Sequence, residues 1–405
     1  MHFWDGVIFM FAMSFVAVQT VFPVLITELG GTAIAVGMIP VLWNLGLNVP
    51  QILLIRRREE QTNIKPVFLK YALLHRMLFL VMGLFLLLVV EALPREIKIF
   101  AVLFVILLMA LSGAFAIPNW YQLLSKTTPV TLRRRLLALR QLLGSLLGIA
   151  GGSAVTFVLA SFAFPYDFSI LFLTAFFFMI VSFVYIKRII EVSQEEAVHA
   201  PDEDQRASGS RDYMKRLLKK NKNFRWYLIA DFLMLASASA SSFYSVYGLQ
   251  KFSLHSSYTG IYTIILMASM SAGNVLFGIT ADRKGHLLNL KLLTIAYAAA
   301  SLLAVVISTP GLYGLVFFFM AIGLTIHGIS RLSIVAEMTR ERERRDYLVL
   351  LNSMTAPAFL TGLAAGYIIE SSGYRIFFVL SSLLAIASFL VLTFKVKEPR
   401  ILHNN

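Results

Sequence analysis

Charged and amide side chains are scarce in this chain, and the few inside apolar stretches are the ones able to do chemistry. His327 and Arg331 are four residues apart, so on a helix they share one face. An imidazole one turn from a guanidinium can hold an anion or relay protons. Arg331 can equally pair with Asp231, which sits about two turns into another apolar stretch behind Arg225. Asp231 and His327 are therefore the candidates for ion coupling. Arg76, preceded by His75, lies in a third such stretch, from which a long arginine can snorkel to an interface. The deeper polar groups are uncharged. They are Gln19, Asn44, Asn48, Asn274 and Asn352, with Ser237, Ser241 and Tyr244 on one side of a single segment. Such groups can hydrogen-bond a solute or a neighbouring helix. Cysteine is absent, which removes thiolate metal sites and cysteine nucleophiles. No His-Glu-x-x-His, Gly-x-Ser-x-Gly or Gly-x-x-x-x-Gly-Lys pattern occurs. No enzyme, ATP-driven pump, metal or cofactor is therefore expected.

The elements that must position these residues follow from composition. Of 405 residues 58% are hydrophobic and 14% charged, and mean hydropathy is +0.76. Soluble domains carry about 25% charged residues, so a water-soluble enzyme and a disordered chain are both excluded. A membrane-crossing helix needs about 20 apolar residues. Twelve such runs occur, at 4–27, 33–55, 67–91, 97–120, 136–160, 168–189, 224–248, 257–280, 289–308, 312–335, 347–369 and 375–395. Lipid offers the backbone no partner, so these runs are expected to be helices. Met1–Asp5 carries no basic residue, so the first span reads as a retained anchor and not a cleaved signal.

Lysine and arginine test the count. Of 36, only Arg95, Lys98, Lys251 and Arg375 fall in or beside odd-numbered connections, while Arg76, Arg140 and Arg331 lie within or at the edge of spans. The other 29 lie in even-numbered connections or the C-terminal tail. That alternation is what the positive-inside rule predicts for twelve spans with both termini cytoplasmic in the cell membrane. The net charge of +14 is then topological, and no nucleic-acid partner is expected.

The longest polar stretch divides the chain into a six-helix bundle at 1–190, a cytoplasmic linker at 191–223 and a second six-helix bundle at 224–405. The linker opens acidic and ends basic, and its end can lie on an anionic leaflet as a short amphipathic helix. The halves resemble each other faintly. Val36-Gly37 opens span 2 as Thr259-Gly260 opens span 8, which sets Gln51 against Asn274 and Glu59 against Asp282. Phe164–Phe168 enters span 6 much as Ser372–Ile376 enters span 12. Such repeats pack about a pseudo-two-fold axis with a site between them.

Between spans 8 and 9 the chain reads Gly278-Ile-Thr-Ala-Asp282-Arg283-Lys-Gly285-His. This resembles the cytoplasmic loop motif of the major facilitator superfamily, and the resemblance extends over essentially the whole chain. It implies an all-α membrane protein of two six-helix bundles related by a pseudo-two-fold axis, with twelve transmembrane helices. The family's first copy of the motif, between spans 2 and 3, is degraded here to Arg56-Arg57-Arg58-Glu59-Glu60-Gln61. In the surviving copy the resemblance implies a latch. Asp282 would meet the positive N-terminus of span 5, where a carboxylate gains about 0.3–1 kcal/mol. Arg283 would seek a carboxylate, with Glu337 the candidate. Gly278, Asp282, Arg283, Gly285 and Glu337 thus form the expected cytoplasmic gate. Gly144, Gly148 and Gly152 make a small-residue stripe on span 5, matched by Ser269 and Gly273 on span 8 and by Gly362 and Gly366 on span 11. Small residues at this spacing let helices approach closely. The family lines its central cavity with spans 1, 4, 7 and 10, helped by 2, 5, 8 and 11. The cavity residues expected are accordingly Gln19, Asn44, Asn48, Tyr244, Asn274, His327 and Arg331.

The resemblance implies a monomeric secondary transporter that moves one small solute by alternating access, with a proton or sodium ion as possible partner. The aromatic, weakly charged interior favours export of lipophilic compounds. Import or uniport of a polar or anionic metabolite is the alternative, which His327 and Arg331 would suit. A transporter-like receptor or assembly protein that carries nothing is the alternative of another class, and measured flux separates it. No Asp or Glu falls near the middle of any span, which departs from proton-coupled members.

Overall fold

The computed structural model describes residues 1–54, 64–191 and 211–402. The degraded loop copy around Glu59 and most of the acidic linker lie outside them. Within them the chain is helical, with no strand among the described residues. The helices are α1 (His2–Ser14), α2 (Val21–Glu28), α3 (Ala33–Leu54), α4 (Ile64–Leu88), α5 (Arg95–Thr127), α6 (Val130–Ser161) and α7 (Tyr166–Lys187). After the linker come α8 (Arg211–Lys220), α9 (Lys222–Ala238), α10 (Tyr244–Phe252), α11 (Tyr258–Lys284), α12 (His286–Val306) and α13 (Pro310–Ser330). The last are α14 (Ser333–Met338), α15 (Arg344–Thr355), α16 (Thr361–Ser372), α17 (Tyr374–Phe394) and α18 (Pro399–Leu402).

The boundaries follow local chemistry. Pro94, Pro129 and Pro165 stand just before α5, α6 and α7, where a residue lacking an N–H loses nothing. Asn221 caps α9 by accepting from the Phe224 N–H at 2.9 Å. Gly285 and Gly373, at φ +89° and +85°, turn α11 into α12 and α16 into α17, a backbone region that side chains rarely adopt.

Nine of these helices, counting α13–α14 and α15–α16 as one each, are long and apolar enough to cross a membrane among the described residues. A tenth is the pair α9–α10, bent by 40°. The two remaining expected positions hold α3 and the broken pair α1–α2. The breaks are the chief departure from twelve plain rods. Phe15–Thr20 is non-helical between α1 and α2, Ser239–Ser242 is a 3₁₀ turn before α10, and Ala356–Leu360, which includes Pro357, is another before α16. By contrast, α3 runs on through Pro40 and Pro50.

The helices pack as two bundles. In the first, α1 lies on α6 and α7, α3 on α5, and α4 on α5 and α7. In the second, α9 lies on α17, α12 on α13 and α17, and α11 on α13. The bundles meet along two seams, α6 with α11 and α3 with α16. These pairs exchange under a pseudo-two-fold relating span 2 to span 8 and span 5 to span 11. Outward faces are apolar and bare, with Phe100, Phe157 and Phe394 each at least 67% exposed. Water does not tolerate so much contiguous apolar surface, and lipid does. The basic helix α8 lies on the second bundle, where Tyr213 donates to Asp346 at 3.0 Å and the Tyr347 hydroxyl donates to the Leu217 carbonyl at 3.1 Å.

Candidate functional site

His2 contacts Thr127 at the end of α5, and Arg400 contacts Glu337 at the end of α14. Residues near 1 and near 402 therefore lie at one end of the molecule, the terminal end. The connections at 29–32, 162–165, 253–257, 307–309 and 373 form the far end.

The seams are tight toward the far end because the facing residues lack side chains. A Cβ on Gly37 would strike the Gly362 carbonyl, one on Gly366 would strike the backbone of Ala33 and Ile34, and one on Gly152 would meet the Ile264 N–H and the Gly260 carbonyl. Hydrogen bonds reinforce this closure. Thr20 and Thr263 share one of 2.7 Å between fully buried hydroxyls, and the Ile34 N–H donates to Glu370 at 3.0 Å.

Followed toward the terminal end, the same helix faces become polar and open. The stripe Gly37, Val41 continues on α3 to Asn44 and Asn48, and the stripe Gly260, Ile264, Met267 continues on α11 to Asn274 and Gly278. The three asparagines are half-buried. Each donates its amide N–H to a carbonyl one turn back, Asn44 to Pro40 at 2.8 Å, Asn48 to Asn44 at 2.7 Å and Asn274 to Met270 at 2.8 Å. Their Oδ1 atoms accept nothing from the described residues and remain as acceptors. A Cβ on Gly278 would meet no atom within 4 Å, in contrast to Gly152 and Gly260 further along the same seam. Gln19 lies in the break between α1 and α2, half-buried.

The other expected residues are distributed differently. Tyr244 is 3% exposed inside the second bundle, with its hydroxyl 2.8 Å from that of Ser301, so it does not face the space between bundles. Arg331 resolves the choice between anion binding and pairing. Its Nε lies 2.9 and 3.1 Å from the two oxygens of Asp231, its Nη2 2.8 Å from Oδ2, and it also donates to Asn352 at 3.1 Å and Thr355 at 3.0 Å. With Asp231 fully buried beneath it, this guanidinium turns most of its donors to partners within the second bundle. His327 is half-buried one turn away, and its Nε2 has no partner among the described residues.

At the gate, Asp282 and Arg283 are exposed and make no ion pair among the described residues. Asp282 does not meet the start of α6, and Arg283 does not meet Glu337. The tail residue Arg400 takes that carboxylate instead, at 2.9 and 2.7 Å, and donates to the Asp282 carbonyl at 2.9 Å. His286 stands 3.8 Å from the same carboxylate. The sequence motif did not reveal this partner, because Arg400 lies 118 residues away in the tail. Glu398 lies so close to Gly285 that a Cβ there would come within 2.7 Å of its carboxylate. Burial, and then the charge of Glu337, hold the Glu398 carboxyl above the usual range. Among the glycines, Gly148 faces Met267 across the seam, as Gly152 faces Ile264, but Gly144 faces Met10 of α1 and Gly273 faces Thr325 of α13.

A profile of the Major Facilitator Superfamily matches residues 6–358. The chain belongs to the Major Facilitator Superfamily. It is a multi-pass membrane protein with the superfamily's permease fold. Solved structures agree in fold. The nucleoside transporter NupG superposes with a TM-score of 0.68 at 14% identity, over 97% of this chain and 99% of that one. A D-xylose–proton symporter does so with 0.72 at 11%, over 98% and 97%. The human organic anion transporter MFSD10 does so with 0.61 at 14%, over 97% and 98%. Among curated protein sequences none matches.

One cluster was missed in the sequence. Asp5, 1% exposed, accepts from Ser182 at 2.6 Å and lies 3.6 Å from Arg76 and 3.9 Å from Arg140. The sequence shows Asp5 only as a residue ahead of an apolar run, with nothing to announce that four helices converge on it.

Proposed function

We propose that this superfamily member carries one small solute by alternating access through the space between its bundles, and that its terminal end faces the cytoplasm. The observation that carries the reading is the asymmetry of the seams, glycine-tight backbone contact at the far end against half-buried asparagines and an uncontacted Gly278 toward the terminal end. A permease open to one side has this form. The side is assigned from the lysines and arginines, which crowd the connections of the terminal end. Reporter fusions after residues 93 and 250 should report outside, and a cytoplasmic signal at either contradicts the assignment.

The amide oxygens of Asn44, Asn48 and Asn274, among apolar walls, suit a largely apolar solute with a few hydrogen-bond donors. Export of lipophilic compounds fits that interior. The second reading, uptake of a polar or anionic metabolite, loses Arg331 to Asp231 but gains support from Arg140, whose Nη1 has no acceptor among the described residues. For ion coupling the available groups are His327 and Asp231, and a flux indifferent to His327→Gln at every pH removes the first. Thermal unfolding of the purified protein against a panel of metabolites and lipophilic drugs tests the site. A solute at about a hundred times its dissociation constant adds about 2.7 kcal/mol, and that gain should vanish in Gln19→Ala/Asn274→Ala. A hit that survives the double variant places the site elsewhere. Hits that show no flux in proteoliposomes favour a receptor that does not transport.

A further inference from the structure

We propose that Arg140 and Trp120 form a receptor for an oxyanion, a carboxylate or phosphate group borne by the transported solute. The inference rests on reading the chain as a solute carrier.

Most charges buried at this corner are already balanced. Asp5 is held by Ser182 and faces Arg76 at 3.6 Å. Arg76 donates to the carbonyls of Met179 and Ala72 at 2.8 and 2.9 Å and to Ser182 at 3.1 Å, between the rings of Phe9 and Phe183. These two residues neutralise each other and tie the bundle together. Arg140 is a second cation on the same carboxylate, 3.9 Å away and outside hydrogen-bond range. Its Nη1 is buried and meets no acceptor among the described residues. A buried guanidinium with no acceptor is costly in apolar surroundings and marks a functional group.

One neighbour shares its condition. The Arg140 guanidinium lies 4.3 Å over the Trp120 ring, a cation–π contact that fixes its place. The Trp120 indole N–H is also buried with no acceptor among the described residues. His2 stands edge-on to Trp120, ring centres 6.4 Å apart, and donates through Nε2 to the Thr127 hydroxyl, which itself donates to the Leu123 carbonyl. Two side chains from α5 and α6 thus bring N–H groups to one corner with no oxygen to receive them among the described residues. Gly6 makes the corner possible, since a Cβ there would collide with the Arg140 side chain.

The ligand class follows. Two arginines against one carboxylate leave a positive charge, and a planar fork of N–H groups matches a carboxylate or phosphate. The Arg140 side chain is 16% exposed, and it sits two turns beyond Gly148 on α6, past the point where that helix turns from α11 onto α1.

The test uses the full chain in nanodiscs, titrated with sodium phosphate and sodium benzoate against sodium chloride at matched ionic strength. At least one oxyanion should raise the unfolding temperature saturably. Arg140→Gln should weaken that binding about tenfold or more, and Trp120→Phe, which keeps the ring and removes the N–H, about threefold or more. Arg135→Gln, exposed on the same helix, should bind as the parent does. In proteoliposomes the bound anion should exchange, and Arg140→Gln should abolish the exchange. If Arg140→Gln does not fold, Trp120→Phe decides. Neither oxyanion binding, unchanged affinity in Trp120→Phe or Arg140→Gln, or equal loss in Arg135→Gln would each overturn the proposal. Binding without exchange overturns the assignment to the solute. Failure of the transport reading itself would show differently, as no flux for any compound of the wider panel.

Discussion

At the scale of single residues, two buried ion clusters do different things although they look alike. In the second bundle Asp231 and Arg331 satisfy each other, with Asn352 and Thr355 each taking a further N–H. In the first, Asp5 and Arg76 are satisfied and Arg140 is not. The consequence for stability is calculable. Removing one member of a buried pair leaves an uncompensated charge at a cost of about 3–5 kcal/mol, while replacing both with apolar residues is about neutral. Asp231→Leu alone should therefore lower unfolding stability by about that much, and Asp231→Leu/Arg331→Met should regain most of it. Equal loss in the single and double variants would mean that the pair supplies more than mutual neutralisation. The sequence placed His327 and Arg331 on one face and named Asp231 as a possible partner, because spacing and residue type determine both. It could not say how fully the arginine was engaged, since that depends on Asn352 and Thr355 arriving from α15. It passed over Arg140 because an arginine near a span edge looks like any other topological charge.

At the scale of helices, hydropathy located the spans and Pro or Gly located many of their ends. Pro94, Pro129, Pro165, Gly285 and Gly373 all stand at boundaries. The breaks between α1 and α2 and between α9 and α10 were not legible, because apolar runs read alike whether or not the backbone bends. Non-helical backbone at this depth persists only where protein or a cavity surrounds it, and that is a tertiary fact. Gln19, in the first break, has its environment set by the break as much as by its own chemistry. Glycine stripes were legible as close packing, yet their partners were not. Gly148 and Gly152 serve the seam between bundles, whereas Gly144 and Gly273 serve packing within a bundle. The gate motif was legible as a turn, with Gly285 adopting the backbone that only glycine takes easily. Its expected ion pairs are absent here because the tail, through Arg400, occupies Glu337.

At the scale of the whole molecule, the two seams are related by the pseudo-two-fold, and the alternating access proposed above would close one end and open the other by rocking one bundle against the other. The far end is shut by backbone-to-backbone contact, and bulk placed there cannot be absorbed by a flexible side chain. Gly362→Val should therefore disfavour this closure and populate the opposite state. The most direct measurement uses the absence of cysteine, which lets spin labels be placed without background. One pair at Thr32→Cys and Ser371→Cys reads the far end, and one at Ser125→Cys and Lys284→Cys reads the terminal end, all four being exposed. Pulsed electron paramagnetic resonance should find the far pair short and the terminal pair long in the parent. In Gly362→Val the far pair should lengthen while the terminal pair shortens. Two pairs that move in the same sense, or a terminal pair unmoved while the far end opens, would contradict alternating access by these bundles.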